Sequence, residues 1–195
     1  MDFTATLSLI LGSSFFTAVA SALLGEPIKQ HLERKRIDAE IRKSAAFAAL
    51  YLANALEAYA RDCAEIVVGN QSNLDPYDDQ SPHRANLNAL PDFPTELNWT
   101  ALGVHLTDDA LSFRTRVALT RLHLSEYWEY AADAIFADVA ESAAEIGLEA
   151  RALAAILRRV HGLKIAQEHK FTWDYAAAMS EHLSRVRTSS NKSED

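Results

Sequence analysis

The hydrophobic pattern of this chain changes several times along its length, and each change marks an element. From Phe3 to Leu24 there is no charged residue. As a helix rising about 1.5 Å per residue, that stretch would reach roughly 33 Å, enough to cross a bilayer. Thr4, Thr6, Ser8, Gly12, Ser13, Ser14, Thr17 and Ser21 dilute it, so the pattern predicts a span of marginal apolarity with a weak point at Gly12-Ser13-Ser14. After Pro27, read as a tolerated first-turn proline, Ile28, Leu32, Ile37, Ile41, Ala45, Ala48, Leu52, Ala55, Tyr59, Cys63 and Ile66 follow in steps of three to five. That spacing predicts one long amphipathic helix ending near Gly69. Its first part, Lys29 to Lys43, is charged nearly all round and turns apolar only from Ala45, as expected of a stalk leading into a bundle.

Between Gly69 and Asn98 the periodicity stops and Pro76, Pro82, Pro91 and Pro94 appear. A loop this long is usually functional or disordered. Phe93, Leu97, Trp99 and Leu102 read as apolar anchors at its end, and the loop, with Phe93 and Trp99, is the first candidate for a partner surface. A second helical phase is expected from Thr107, a plausible N-cap followed by Asp108 and Asp109. Its buried stripe reads as Leu111, Val117, Leu122, Leu124, Trp128, Ala131, Ile135 and Val139. Ser142 and Glu145 match a capping box, leaving open a break there or a continuous helix. Ile146, Ala150, Leu153, Ile156, Leu157 and Val160 form the next stripe, stopped by Gly162-Leu163 in the spacing of a Schellman cap. A last helix is expected from about Thr172 to Val186, and the polar residues 188–195 read as a disordered tail. The expected plan is an anchor at 1–25, a stalk at 26–44, and a helical bundle at 45–187 with its long loop at 69–98.

Composition sharpens this picture. The stretches Glu26–Val68 and Thr107–Val160 lack proline after Pro27, alanine is abundant and glycine scarce, so the class is all-α: one N-terminal transmembrane helix, a long amphipathic helix and a small antiparallel bundle. A net charge of −8 argues against a nucleic-acid partner, which would be gripped by clustered Lys and Arg. Cys63, the one cysteine, has no partner for a disulfide or zinc site, which fits a reducing compartment. A cleaved signal peptide competes with the anchor but would start with a basic region, and here the first charge is Asp2. The basic residues Lys29, Arg34, Lys35, Arg36, Arg42 and Lys43 follow the span, so the positive-inside rule predicts a single-pass chain with its N-terminus outside and its C-terminal part cytoplasmic. Lys29, Arg34, Lys35 and Arg36 are the candidates for contact with lipid headgroups. Ser, Thr and Gly four residues apart in the span would let two anchors associate.

Candidate chemistry is sparse. The seven histidines are scattered, with no metal-binding pattern, and no phosphate loop, serine elbow or Cys-His arrangement stands out. Glu126 and Glu129 flank Tyr127, Trp128 and Tyr130, a setting that can raise a carboxylate pKa but more commonly edges a packed aromatic stripe. The expectation is no enzyme, no catalytic or metal site and no cofactor. Gly147-Leu148-Glu149-Ala150, Leu153, Leu157-Arg158-Arg159, His161-Gly162-Leu163 and Trp173-Asp174 resemble a pattern in uncharacterised bacterial proteins. That resemblance implies a membrane-proximal helix and a helical cytoplasmic part, placed in a bacterial inner membrane, and no activity. The functional expectation is a membrane-anchored interaction or regulatory module, with membrane lipid and a protein partner or second copy as partners. The alternatives are a membrane-active effector or small pore, and a soluble helical protein with a buried N-terminal helix.

Overall fold

The computed structural model describes residues 3–72, 82–128, 134–164 and 173–192; within these, the side chains of residues 3–28, 128 and 190–192 lie outside the description. Five helices follow in order: α1 (Phe3–Asn70), α2 (Trp99–Leu102), α3 (Val104–Trp128), α4 (Ile135–Val160) and α5 (Tyr175–Lys192). No strand occurs among the described residues, so the protein is all-α. The chain divides into two units, Met1–Lys43 and Ser44–Asp195.

The first unit is helical from Phe3 onward. Pro27 does not open a helix, as its sequence context suggested, but lies inside α1, where a proline removes one backbone bond without ending a helix supported on both sides. Every residue from Lys29 to Lys43 is exposed, Leu32, Ile37 and Ile41 included, so these three members of the apolar spacing read as one stripe are not buried; the side chain of Ile28 lies outside the described residues. Among the described residues no helix is long and apolar enough to cross a membrane. The side chains of the span expected at Phe3–Leu24 lie outside the described residues.

In the second unit α1 buries a broad stripe: Ala45, Ala48, Ala49, Leu52, Ala53, Leu56, Tyr59, Ala60, Cys63, Ala64, Ile66 and Val67. Pairs at i, i+3 and i+4 on each turn widen the stripe beyond a simple seam, as a helix packed on two sides requires. Its neighbours follow from the contacts. Glu57 bonds Arg158, and Asn70 bonds the carbonyl of Phe136, so α1 and α4 are antiparallel. Arg151 lies over the Tyr175 ring at 5.6 Å, and a Cβ built on Gly147 would lie 2.5 Å from Met179 Sδ, so α4 and α5 are antiparallel too. The α3–α4 connection is short, and Arg116 reaches Glu149 at 2.8 Å. Two helices joined by so few residues fold back on each other.

With α1 and α3 both antiparallel to α4, they run parallel to each other, and the chain between them must travel the length of the bundle. This explains the long proline-bearing segment. Its described part, residues 82–98, is a strap that descends antiparallel to both helices. Arg84 pairs its backbone with the Asn70 side chain near the end of α1. Leu87, buried, accepts a hydrogen bond from Arg121 at 3.0 Å, and Asn88 accepts one from the Tyr59 hydroxyl at 3.1 Å. Asp92 then pairs with Arg114, and Thr107 donates to the Trp99 carbonyl at 3.0 Å.

Several boundaries differ from the sequence expectation. The chain becomes helical already at Trp99, where the Asn98 side chain accepts the Ala101 N–H, and α3 starts at Val104 rather than Thr107. The buried row of α3 is Leu106, Ala110, Phe113, Val117 and Leu124; Leu111 and Leu122, expected inside, are 45% and 56% exposed. Trp128 and Ala131 fall outside the described side chains. No break occurs at Ser142, and Ile156 and Val160 of α4 are exposed while Leu153 and Leu157 are buried. The Schellman cap forms as its spacing predicts: Leu163 N–H bonds Arg158 O at 2.8 Å and Gly162 N–H bonds Arg159 O, with Gly162 at φ +63°. Asp174 caps α5 by accepting the Ala177 N–H, and the helix continues past Val186 to Lys192; 193–195 lie outside the described residues.

Candidate functional site

The four basic residues expected at a membrane surface, Lys29, Arg34, Lys35 and Arg36, are all exposed on α1. At about 100° per residue Lys29 and Arg36 share a side, while Lys35 and Arg34 are turned roughly 100° and 160° from Arg36. They ring the helix rather than form one face. Arg36 lies 3.5 Å from Glu40, an exposed i,i+4 pair worth little in stability.

Phe93 and Trp99 are brought together, with ring centroids 5.9 Å apart, but as fasteners of the strap. Phe93 is buried, with the Arg114 guanidinium 5.8 Å above its ring, and Trp99 is half-buried against the core. The exposed apolar surface of this region lies instead on the outer side of α3. Val104, Leu111, Leu119 and Leu122 recur there, and a shallow depression of about 440 Å³ is lined by Leu111, Ser112, Thr115, Arg116 and Leu119. Sequence reasoning missed this row because it assigned Leu111 and Leu122 to the core.

Two polar clusters also escaped the sequence reading. In the first, Arg158 of α4 is 6% exposed, although a helix C-terminus alone would accommodate it in solvent. Its guanidinium donates to both carboxylate oxygens of Glu57 at 2.7 and 2.8 Å, to Asn54 Oδ1 at 2.6 Å and to the Lys164 carbonyl at 2.9 Å. Bonding to Glu57 holds the guanidinium charged still more firmly than usual. The same hub joins α1, α4 and the turn after the Schellman cap.

The second cluster lies where α1 ends against α4 and α5. Asn70 Nδ2 donates to the carbonyls of Arg84 and Phe136, both at 2.9 Å. Gln71 Nε2 lies 2.6 Å from Nδ1 of His182, and Arg185 Nη2 donates to Gln71 Oε1 at 2.9 Å. His182 is 8% exposed; its Nε2, like Ser72 Oγ beside Gln71, is buried and has no partner among the described residues. Burial first, then the Arg185 charge, push its pKa below the ordinary value, with Glu141 opposing. His161, at the other end of α4, is likewise lowered by burial. Between the clusters, burial pushes the Tyr59 hydroxyl up and raises the Cys63 thiol to about 12, so that thiol is not a nucleophile at neutral pH.

Among the described residues no three His, Cys, Asp or Glu side chains are placed to hold a metal ion. Glu126 is exposed and Glu129 lies outside the described residues. No protein-family model, no curated protein and no solved structure matches this chain.

Proposed function

We propose that this protein is a membrane-anchored interaction or regulatory module, with residues 3–24 in the bilayer and the bundle held in the cytoplasm to meet a protein partner. The observation that carries the reading is the continuity of α1 from Phe3 to Asn70. Along one uninterrupted helix the sequence passes from an uncharged segment, through an exposed charged segment, to the buried stripe that starts at Ala45. Basic residues on every side of the middle segment suit a helix rising out of a membrane, since a helix lying on the surface would gather them on one polar face. Lys29 is five residues past Leu24, about 7.5 Å along the helix, within the headgroup layer and within a Debye length of it. The exposed row on α3 supports the partner half of the reading, because large apolar side chains repeated along one helix face are the complement of another amphipathic helix.

The test is fractionation of the full chain. Wild type should pellet with membranes, resist high salt and dissolve in detergent. Leu11→Arg, a charge near the middle of the span costing about 2.5–3.5 kcal/mol or more, should shift much of the protein to the supernatant. Wild-type protein that is soluble without detergent, or released by salt alone, overturns the anchor.

A further inference from the structure

We infer that His182 is the pin of a protonation-operated latch, which ties α5 to the end of α1 when the imidazole is neutral and releases α5, uncovering Cys63, when it takes up a proton. Arg185 can only donate, so its bond to Gln71 fixes Oε1 on the arginine side and turns the Nε2 amide group toward His182. Nδ1 of His182 must then be an unprotonated acceptor, and the ring proton sits on Nε2, which is buried without a partner. The relay Arg185 to Gln71 to His182 is satisfied in this one protonation state only.

A proton from solvent arriving at Nδ1 faces the two hydrogens of the Gln71 amide. Rotating the amide satisfies the imidazolium through Oε1 but turns its NH₂ toward Arg185, which must then leave. Arg185 has somewhere to go: it is more than half exposed and lies 4.0 Å from Glu181 one turn earlier. The charged groups around the ring are Arg185 on its own helix, which opposes the proton, and Glu141 on α4, which favours it. The end of α1 contributes the neutral Asn70, Gln71 and Ser72, and the strap brings Arg84, bonded to Asn70, and His83, packed edge-on to Phe136, to the same end of the bundle. Protonation therefore costs a buried charge and a broken relay together.

Release has a built-in reporter. A Cβ at Gly147 would lie 2.5 Å from Met179 Sδ and 2.8 Å from Cys63 Cβ, so Met179 of α5 and Cys63 of α1 meet over the same glycine of α4. Both are fully buried, and lifting α5 away opens the path to the chain's one thiol.

The experiment measures the labelling rate of Cys63 by 4,4′-dithiodipyridine in the full chain, divided by the rate for urea-unfolded protein at the same pH, which removes the intrinsic pH dependence of the thiol. For wild type the ratio should rise about tenfold or more from pH 7.5 to 5.5. His182→Gln, which can still accept from Gln71 but cannot titrate, should give a flat ratio. Gln71→Glu, whose carboxylate accepts from both Arg185 and the imidazolium, should reverse the trend and tighten the latch at low pH. His161→Gln should behave as wild type. A wild-type ratio that does not change with pH, a rise that persists in His182→Gln, or a Gln71→Glu profile that follows wild type overturns the latch.

Discussion

Replacing Glu57 by methionine should be the most damaging single change to the Arg158 hub. Arg158 is 7% exposed at its side chain and makes four hydrogen bonds, two of them to Glu57, which is 19% exposed. Glu57→Met leaves a guanidinium buried with two donors facing an apolar side chain. Breaking a buried pair by removing one partner costs about 3–5 kcal/mol, or roughly 6–20 °C in Tm for a chain of this size. Arg158→Met strands a carboxylate that sits closer to water and can rehydrate, so its cost should be smaller, on the order of 1–3 kcal/mol. The double variant removes both charges, and a buried pair replaced by apolar residues of similar volume is often close to neutral. The expected order of destabilisation is Glu57→Met first, Arg158→Met second, and the double variant last, below either single change. Equilibrium unfolding in one mild detergent, followed by tryptophan fluorescence, reads all four corners of this cycle. If the double variant loses as much as the two single changes summed, the two side chains are not coupled and the reasoning is refuted.

The reassigned face of α3 makes a sharper pair: Phe113→Ala, fully buried and edge-on to Tyr59 at 6.4 Å, should cost about 3–5 kcal/mol, while Leu111→Ala on the outer face should stay within about 0.5 kcal/mol. Equal shifts in thermal unfolding would return Leu111 to the core. Gly147→Ala should lower Tm although alanine is the better helix former by about 1 kcal/mol, because the added methyl meets Met179 and Cys63 and such overpacking costs about 1–3 kcal/mol. A rise in Tm would mean that α4 and α5 are not in close contact at this glycine.

The sequence made the helical class legible through its spacing, and it placed the Gly162 cap because a glycine after a basic last turn has few other uses. It misplaced the inner face of α3 because that helix carries two apolar rows. Leu111, Leu119 and Leu122 compete with Leu106, Phe113, Val117 and Leu124, and periodicity cannot say which row meets the core. Trp99 was legible as an anchor, but its share in a new helical turn depended on Asn98, a cap that is equally common in loops. Arg158 and His182 were invisible for a different reason. Their partners lie 101 and 111 residues away, and nothing local distinguishes a buried arginine near a helix end from a solvated one.

Those separations also set the order in which the protein can be built. The strap places α1 parallel to α3, so the side-chain bonds that tie the second half of α1 and the residue after it to α4 or α5 wait for chain made much later: Asn70 for Phe136, Asn54 and Glu57 for Arg158, Gln71 for His182 and Arg185. During synthesis, at about 5–20 residues per second, part of the alanine-rich face from Ala45 to Val67 waits roughly 5–19 s for the whole of α4 to follow it. Helices α3, α4 and α5 are sequence neighbours and can pair as they emerge, leaving a groove that α1 and its strap close last. A nascent chain stalled before Ile135 would therefore present that face to chaperones and proteases, because Phe136 and Arg158, its partners on α4, are not yet made.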